Sequence, residues 1–219
     1  MDRWTRVRIV FGKRGRLRLL GQLDLGRTLE RALRRSGLPV RWTEGFNPRV
    51  RMSFPCASPT GMASRCEIVE VQTAPPAGAR EAADGLRREL PEDLPVLAAE
   101  EVPEGERLRL VAARYGVLPR EGGPEVPGEP SLAALLARSE VPVDRRGRTL
   151  DLRPLLRDLR REGEGLSVRI LFLPTGATAR PEDLLGALGA DPRGYALERT
   201  GMTVHLTRGG EEVEREYGA

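Results

Sequence analysis

Histidine occurs once in this 219-residue chain, at His205, and cysteine twice, at Cys56 and Cys66. A zinc site takes about four N, S or O ligands at close spacing. Two cysteines and a remote histidine do not supply them, so no metal and no cofactor is expected. A Cys–His nucleophilic pair would need His205 to meet Cys56 or Cys66 in space; the plainer expectation is an ordinary histidine and two reduced thiols. Aromatic residues make up only 4%, so cores must be built from Leu, Val and Ala. No run of about 18 apolar residues is present, which excludes a membrane-spanning helix. The start, Met1-Asp2-Arg3-Trp4-Thr5-Arg6, leads into an alternating segment rather than a signal-peptide core, and the expected location is the cytoplasm. No Gly-x-x-x-x-Gly-Lys-Ser/Thr loop occurs; Gly12-Lys13-Arg14-Gly15 has the wrong spacing for one.

What the chain has in abundance is arginine. Lys13 is the single lysine, so nearly all positive charge sits on planar guanidinium forks suited to phosphate and carboxylate. The charge is also unevenly placed. Residues 1–55 hold 14 Arg and Lys against 4 Asp and Glu, a net of +10; the whole chain is +4, so residues 56–219 sum to −6. A basic end on an otherwise acidic protein points to an anionic partner for that end. The bland alternative is a solvated surface laced with internal ion pairs.

Periodicity predicts an α+β fold. Val7, Ile9 and Phe11 alternate with Arg6, Arg8 and Val10 as in a half-buried strand. Gly12–Gly15 reads as a turn. Asp24 is placed to cap a helix that runs to Ser36 and stops at Gly37, with Leu25, Leu29 and Leu33 as its buried stripe. Val40–Trp42 reads as a short strand, residues 43–48 as a loop, and Val50, Met52 and Phe54 as a further strand. Cys66–Val71 reads as a strand, Ala79–Leu90 as a helix, and Leu94–Glu101 as a returning strand. The order is that of a ferredoxin-like βαββαβ unit, expected over residues 1–103, with Val7, Ile9, Leu25, Leu29, Leu33 and Val69 in one core.

Residues 104–219 are expected to form a second α+β unit, which could again be ferredoxin-like. Arg107–Tyr115 should open it as a strand, followed by a flexible loop over Pro119–Pro130 and a helix capped by Ser131. Val141–Val143 and Thr149–Leu152 should pair across a turn at Arg145-Arg146-Gly147. Pro154–Arg161 reads as an extra helix, Leu166–Leu173 as a strand, Pro181 to about Gly189 as a helix, and Met202–Leu206 as the last strand. The charged tail, Glu211–Ala219, is expected to fray.

The candidate anion-binding residues follow from spacing. Arg27, Arg31 and Arg34 (or Arg35) recur on one face of the first helix, while Glu30 can pair with Arg34. Arg49 and Arg51 share a face of the next extended segment. Trp42 and Phe46 are the candidates for stacking on bases, with core packing as the simpler role for Trp42.

One stretch carries more than pattern: Gly15-Arg16-Leu17-Arg18-Leu19-Leu20-Gly21-Gln22-Leu23-Asp24-Leu25, then Arg27, Leu29 to Pro39, Glu44-Gly45-Phe46-Asn47-Pro48, Ser53-Phe54 and Gly61. It closely resembles the radical-SAM-linked proteins, a bacterial family of unknown function. The resemblance is dense over residues 6–72 and thinner to about residue 200. It implies a B12-binding radical SAM protein as partner. It also implies a histidine where this chain has Gln22, and often another where it has Arg49; the replacements favour binding an anion, alongside Asn47, over proton transfer. The chain itself lacks the Cys-x-x-x-Cys-x-x-Cys run of a radical SAM enzyme and the Asp-x-His-x-x-Gly run of a cobalamin site, so recognition or scaffolding is its expected share. Three readings remain open on sequence grounds: a non-catalytic RNA-binding partner of a radical SAM enzyme, a protein-docking module without nucleic acid, and an enzyme acting on an anionic substrate.

Overall fold

The computed structural model describes residues 4–145 and 147–218; Met1–Arg3, Arg146 of the anticipated turn, and Ala219 of the tail lie outside the described residues. The fold is α+β, with four α-helices and eleven strands among them. The chain forms two compact units. One is the chain up to Arg109 together with His205–Tyr217, and the other is Leu110–Val204 with Gly218.

The first unit runs β1 (Thr5–Lys13), α1 (Gln22–Arg35), β2 (Met52–Ser53), β3 (Ala63–Thr73), α2 (Ala79–Glu89) and β4 (Val96–Val102). The strand order is β4-β1-β3-β2, and each neighbouring pair is antiparallel. This is consistent with the ferredoxin-like pattern. Val7, Ile9, Phe11, Leu25, Leu29, Leu33 and Val69 share one core with Val71, Ala82 and Leu86. Leu25, Leu29 and Leu33 are buried because their spacing of four puts them on one stripe, facing the sheet.

Several local readings need correction. Asp24 does not cap α1: Gly21 is the N-cap, and Asp24 lies inside the first turn, where its carboxylate still complements the helix dipole. Val40–Trp42 and Val50 contribute only isolated bridges, Val40 to Thr73 and Trp42 to Val50, so the strand after the loop shrinks to β2. Strand β1 is not half-buried but buried from Val7 to Lys13, because β3 and β4 flank it and its second face is covered as well. Lys13, read as part of a turn, ends β1 with its ammonium donating to the carbonyl of Pro59 at 2.6 Å.

The second unit contains the continuation of β5 (Arg107–Pro119), α3 (Glu129–Leu136), the paired β6 (Pro142–Asp144) and β7 (Thr149–Asp151), β8 (Leu156–Glu162), β9 (Gly165–Leu171), α4 (Pro181–Ala187) and most of β10 (Tyr195–Arg208). Its order is β10-β5-β9-β8, with β5 and β8 antiparallel to β9. The expected helix over Pro154–Arg161 is strand β8. A register shift between Arg157 and Arg160, with Asp158 at φ 51°, displaces the alternation and leaves Leu156 and Leu159 buried at a spacing that mimics a helix. With that correction the unit reads βαββαβ too, the β6–β7 hairpin being inserted after α3. Ser131 lies within α3, whose N-cap is Gly128.

The tail does not fray. Glu211–Tyr217 is strand β11, paired with β10 in the first unit. The turn between them is Gly209-Gly210, with φ of 58° and 90°; two consecutive positive φ values are what a tight hairpin turn demands and what glycine supplies. Among the described residues no helix is long and apolar enough to cross a membrane.

Candidate anion-binding surface

Two settings stand out among the basic residues of the N-terminal region. Arg8 points away from the helices and is 1% exposed. Its guanidinium donates to Glu70 at 2.8 and 2.9 Å, to Glu106 at 2.9 Å, to Glu100 at 3.1 Å and to the Tyr217 hydroxyl at 3.1 Å. Tyr217 in turn donates to Glu100 at 2.7 Å, and Arg215 pairs with the other oxygen of Glu100. Burial on its own lowers the Arg8 pKa, but Glu70 and Tyr217 outweigh it and hold the guanidinium above its ordinary value. For Tyr217, burial and the hydrogen bond to Glu100 push the hydroxyl up to about 12. Every N–H of the Arg8 guanidinium is thereby used.

The second setting is the outer face of α1 and the loop after it. Arg27, Glu30, Arg31, Arg34, Asn47, Pro48 and Arg49 line an open concavity of about 590 Å³. Helix spacing brings the first four together, since residues three and four apart share a face. The loop is brought alongside by a closed base: the Thr43 amide donates to the Arg49 carbonyl at 2.7 Å, the Arg49 amide to the Thr43 hydroxyl at 3.0 Å, and the Arg51 amide to the Arg41 carbonyl at 2.8 Å.

Glu30 fixes the floor. One of its carboxylate oxygens accepts from Arg34 at 2.7 Å, and the other from Arg49 at 3.1 Å. The carboxylate is nearly buried, while both guanidinium groups stay about half exposed. Burial raises the Glu30 pKa, but the hydrogen bonds from Arg49 and Arg34 overcome it and hold the carboxyl below its ordinary range. Arg34 is further ordered by Trp42, whose ring centroid lies 4.7 Å from the guanidinium carbon. Arg27 pairs with Asp24 at 3.2 Å, both about 60% exposed, and Arg31 donates to the Thr28 hydroxyl at 3.3 Å. An ion pair so exposed is worth about 0–1 kcal/mol, so Arg27 can exchange Asp24 for another anion at little cost. Four Arg against one Glu leave the lining at +3.

Not every anticipated residue joins. Arg51 is exposed but does not line the concavity. Gln22 is turned elsewhere, its side-chain oxygen accepting from the Ser58 amide at 2.7 Å. Arg35 pairs with Glu89 of α2 at 2.8 Å, which leaves Arg34 as the arginine of that pair on this face. Trp42 is 41% exposed and its ring carries Arg34, whereas Phe46 stands wholly in solvent at 106%. The sequence did not reveal that Glu30 is shared between Arg34 and Arg49; its i,i+4 spacing to Arg34 was the visible half of that arrangement. Nor did it reveal the Arg8 network.

His205 sits near Arg109, Glu212 and Glu214, with its Nδ1 3.0 Å from an Arg109 nitrogen. Cys66 is buried beside Ser64 and Cys56 is partly buried, and neither is in a disulfide. Among the described residues no group of three or more His, Cys, Asp and Glu is placed to hold a metal ion.

No curated protein matches the chain. A family model described as an uncharacterized protein conserved in bacteria (DUF2344) matches residues 6–181, which take in the whole concavity. With that match covering most of its length, the chain belongs to the DUF2344 family of bacterial proteins.

Proposed function

We propose that this protein is a non-catalytic, cytoplasmic partner of a B12-binding radical SAM enzyme, and that it binds RNA on the α1–loop surface. The observation that carries the RNA reading is the concavity itself. Four arginines and Asn47 converge there with a net lining charge of +3, and two of the arginines are held in place with half their surface free. Ordered guanidinium forks suit phosphate oxygens. The radical SAM link rests on the resemblance of residues 6–72.

A different occupant is favoured by two exposed leucines, Leu19 in the turn before α1 and Leu23 in its first turn. An acidic protein surface with an apolar edge would suit them together with the arginines. The enzyme reading gains nothing from the site: Asp24, Arg27 and Asn47 are exposed and enclose no buried pocket.

The test is RNA affinity against salt concentration for four proteins. These are the wild type, a variant with Arg27, Arg31, Arg34 and Arg49 changed to Ala, an Arg51→Ala variant, and a control with Arg80, Arg138 and Arg208 changed to Ala. The four-site variant should bind more weakly, its log–log salt slope reduced by about 0.7 for each phosphate no longer neutralised, with little dependence on sequence. Arg51→Ala and the control should retain the wild-type slope. Absence of salt-dependent binding by the wild type, or equal weakening of the four-site variant and the control, would move the protein-docking reading ahead.

A further inference from the structure

Resting on that RNA reading, we infer that the site takes an unpaired, single-stranded segment, with one base stacked on Phe46 and its flanking phosphates on Arg34 and Arg49. The juxtaposition is a bare aromatic ring at a loop tip, three residues before Arg49, which with Arg34 holds the Glu30 carboxylate.

The loop is built to present that ring. Its base is closed by the Thr43–Arg49 and Arg41–Arg51 hydrogen bonds and by the Trp42–Val50 bridge. At its tip Gly45 adopts φ 124°, a conformation side-chain-bearing residues rarely adopt, and a Cβ added there would meet nothing within 4 Å. The tip therefore stands clear of the rest of the chain, and Phe46 follows directly. A single exposed apolar residue is ordinary on a protein surface. What distinguishes Phe46 is its place: the next three residues, Asn47, Pro48 and Arg49, all line the concavity.

The two aromatics have different roles. Trp42 supports Arg34 on its ring and is a positioning residue. Phe46, wholly exposed, is the one with a face to offer a base. A duplex keeps its base faces inside its own stack and would give Phe46 nothing to meet, though its phosphates could still reach the arginines. Unpaired bases can be splayed out, stacked on an aromatic ring and hydrogen-bonded at their edges, and Asn47 carries both a donor and an acceptor for such an edge.

The experiment compares a labelled mixed-sequence single-stranded oligoribonucleotide with the same strand annealed to its complement, bound to the wild type, Phe46→Ala and Phe46→Tyr. The wild type should prefer the single strand. Phe46→Ala should weaken single-strand binding about 5- to 150-fold, the range for one base stacked on an aromatic side chain, and should leave duplex binding and the salt slope unchanged. Phe46→Tyr should keep most of the affinity. Because the Phe46 side chain stands in solvent, its removal leaves the core untouched. Salt-dependent binding that is equal for strand and duplex, or indifferent to Phe46→Ala, overturns the inference while leaving the RNA reading standing. Salt-independent or absent binding of both probes by the wild type removes both.

Discussion

Arg8 and Arg34 lie in the same unit, each within reach of carboxylate, yet their settings make opposite use of one side chain. Arg8 is closed inside a network of three carboxylates and a tyrosine. Arg34 shares one carboxylate with Arg49 and keeps about half its surface in water. Taking a charge out of water costs several kcal/mol and is repaid only when its partners are nearly complete. The buried site therefore ends up saturated, and the exposed one ends up with donors to spare. Arginine count alone does not tell a fully paired guanidinium from one with donors to spare; burial does.

The largest effect should come from breaking the buried side. Arg8→Met leaves Glu70 and Glu106 without their main partner in a poorly solvated place, and should cost about 3–5 kcal/mol in urea or guanidinium unfolding. A loss under about 1 kcal/mol would erase the distinction between the two regions.

Next is Tyr217→Phe, which removes a hydroxyl bonded to Arg8 and Glu100 and should cost about 1.5 kcal/mol. Its pH dependence sharpens the point. Because the folded hydroxyl is raised to about 12, its protonated form contributes stability fully below the unfolded value of about 10. That contribution fades as pH rises through the folded value. Unfolding measured at rising alkaline pH should show this decline in the wild type and less of it in Tyr217→Phe.

The smallest change is expected at the exposed site. Glu30→Gln should cost about 1 kcal/mol or less, since its partners remain half hydrated. The depressed Glu30 carboxyl contributes stability above the unfolded value of about 4.3 and loses it as pH falls through the lower folded value. The acid-side fall in stability should therefore be shallower in Glu30→Gln. In RNA titrations at low salt the same variant should bind more tightly, because the lining gains a unit of positive charge; weaker binding would mean that Glu30 matters more for ordering Arg34 and Arg49 than for its charge.

Much of the fold could be read from local pattern. The spacing of Leu25, Leu29 and Leu33 marked both the helix and its buried face, because a helix repeats every 3.6 residues wherever it packs. The β6–β7 hairpin was visible in the turn between its alternating arms. Pattern failed where one extra residue broke the alternation, at Asp158 in β8. It failed again near the end, where the charge of residues 211–217 masks a strand that only the Gly209-Gly210 turn announces. The candidate site was legible in part: Arg27, Arg31 and Arg34 follow from helix periodicity, but Arg49 joins them and Arg51 does not, which depends on how the loop folds back.

By itself, then, the sequence determined the α+β class, the stripe that buries α1 and the excess of arginine near the start. These depend on residue identity and on spacing along one element. Tertiary structure alone decided that Arg8 is structural and that Gln22 braces the Ser58 backbone. It also decided that Trp42 supports an arginine while Phe46 stands free, and that Glu30 joins Arg34 to Arg49. Each of these depends on which distant residues share a space, and on how much water remains there to weaken or replace a charge's partner.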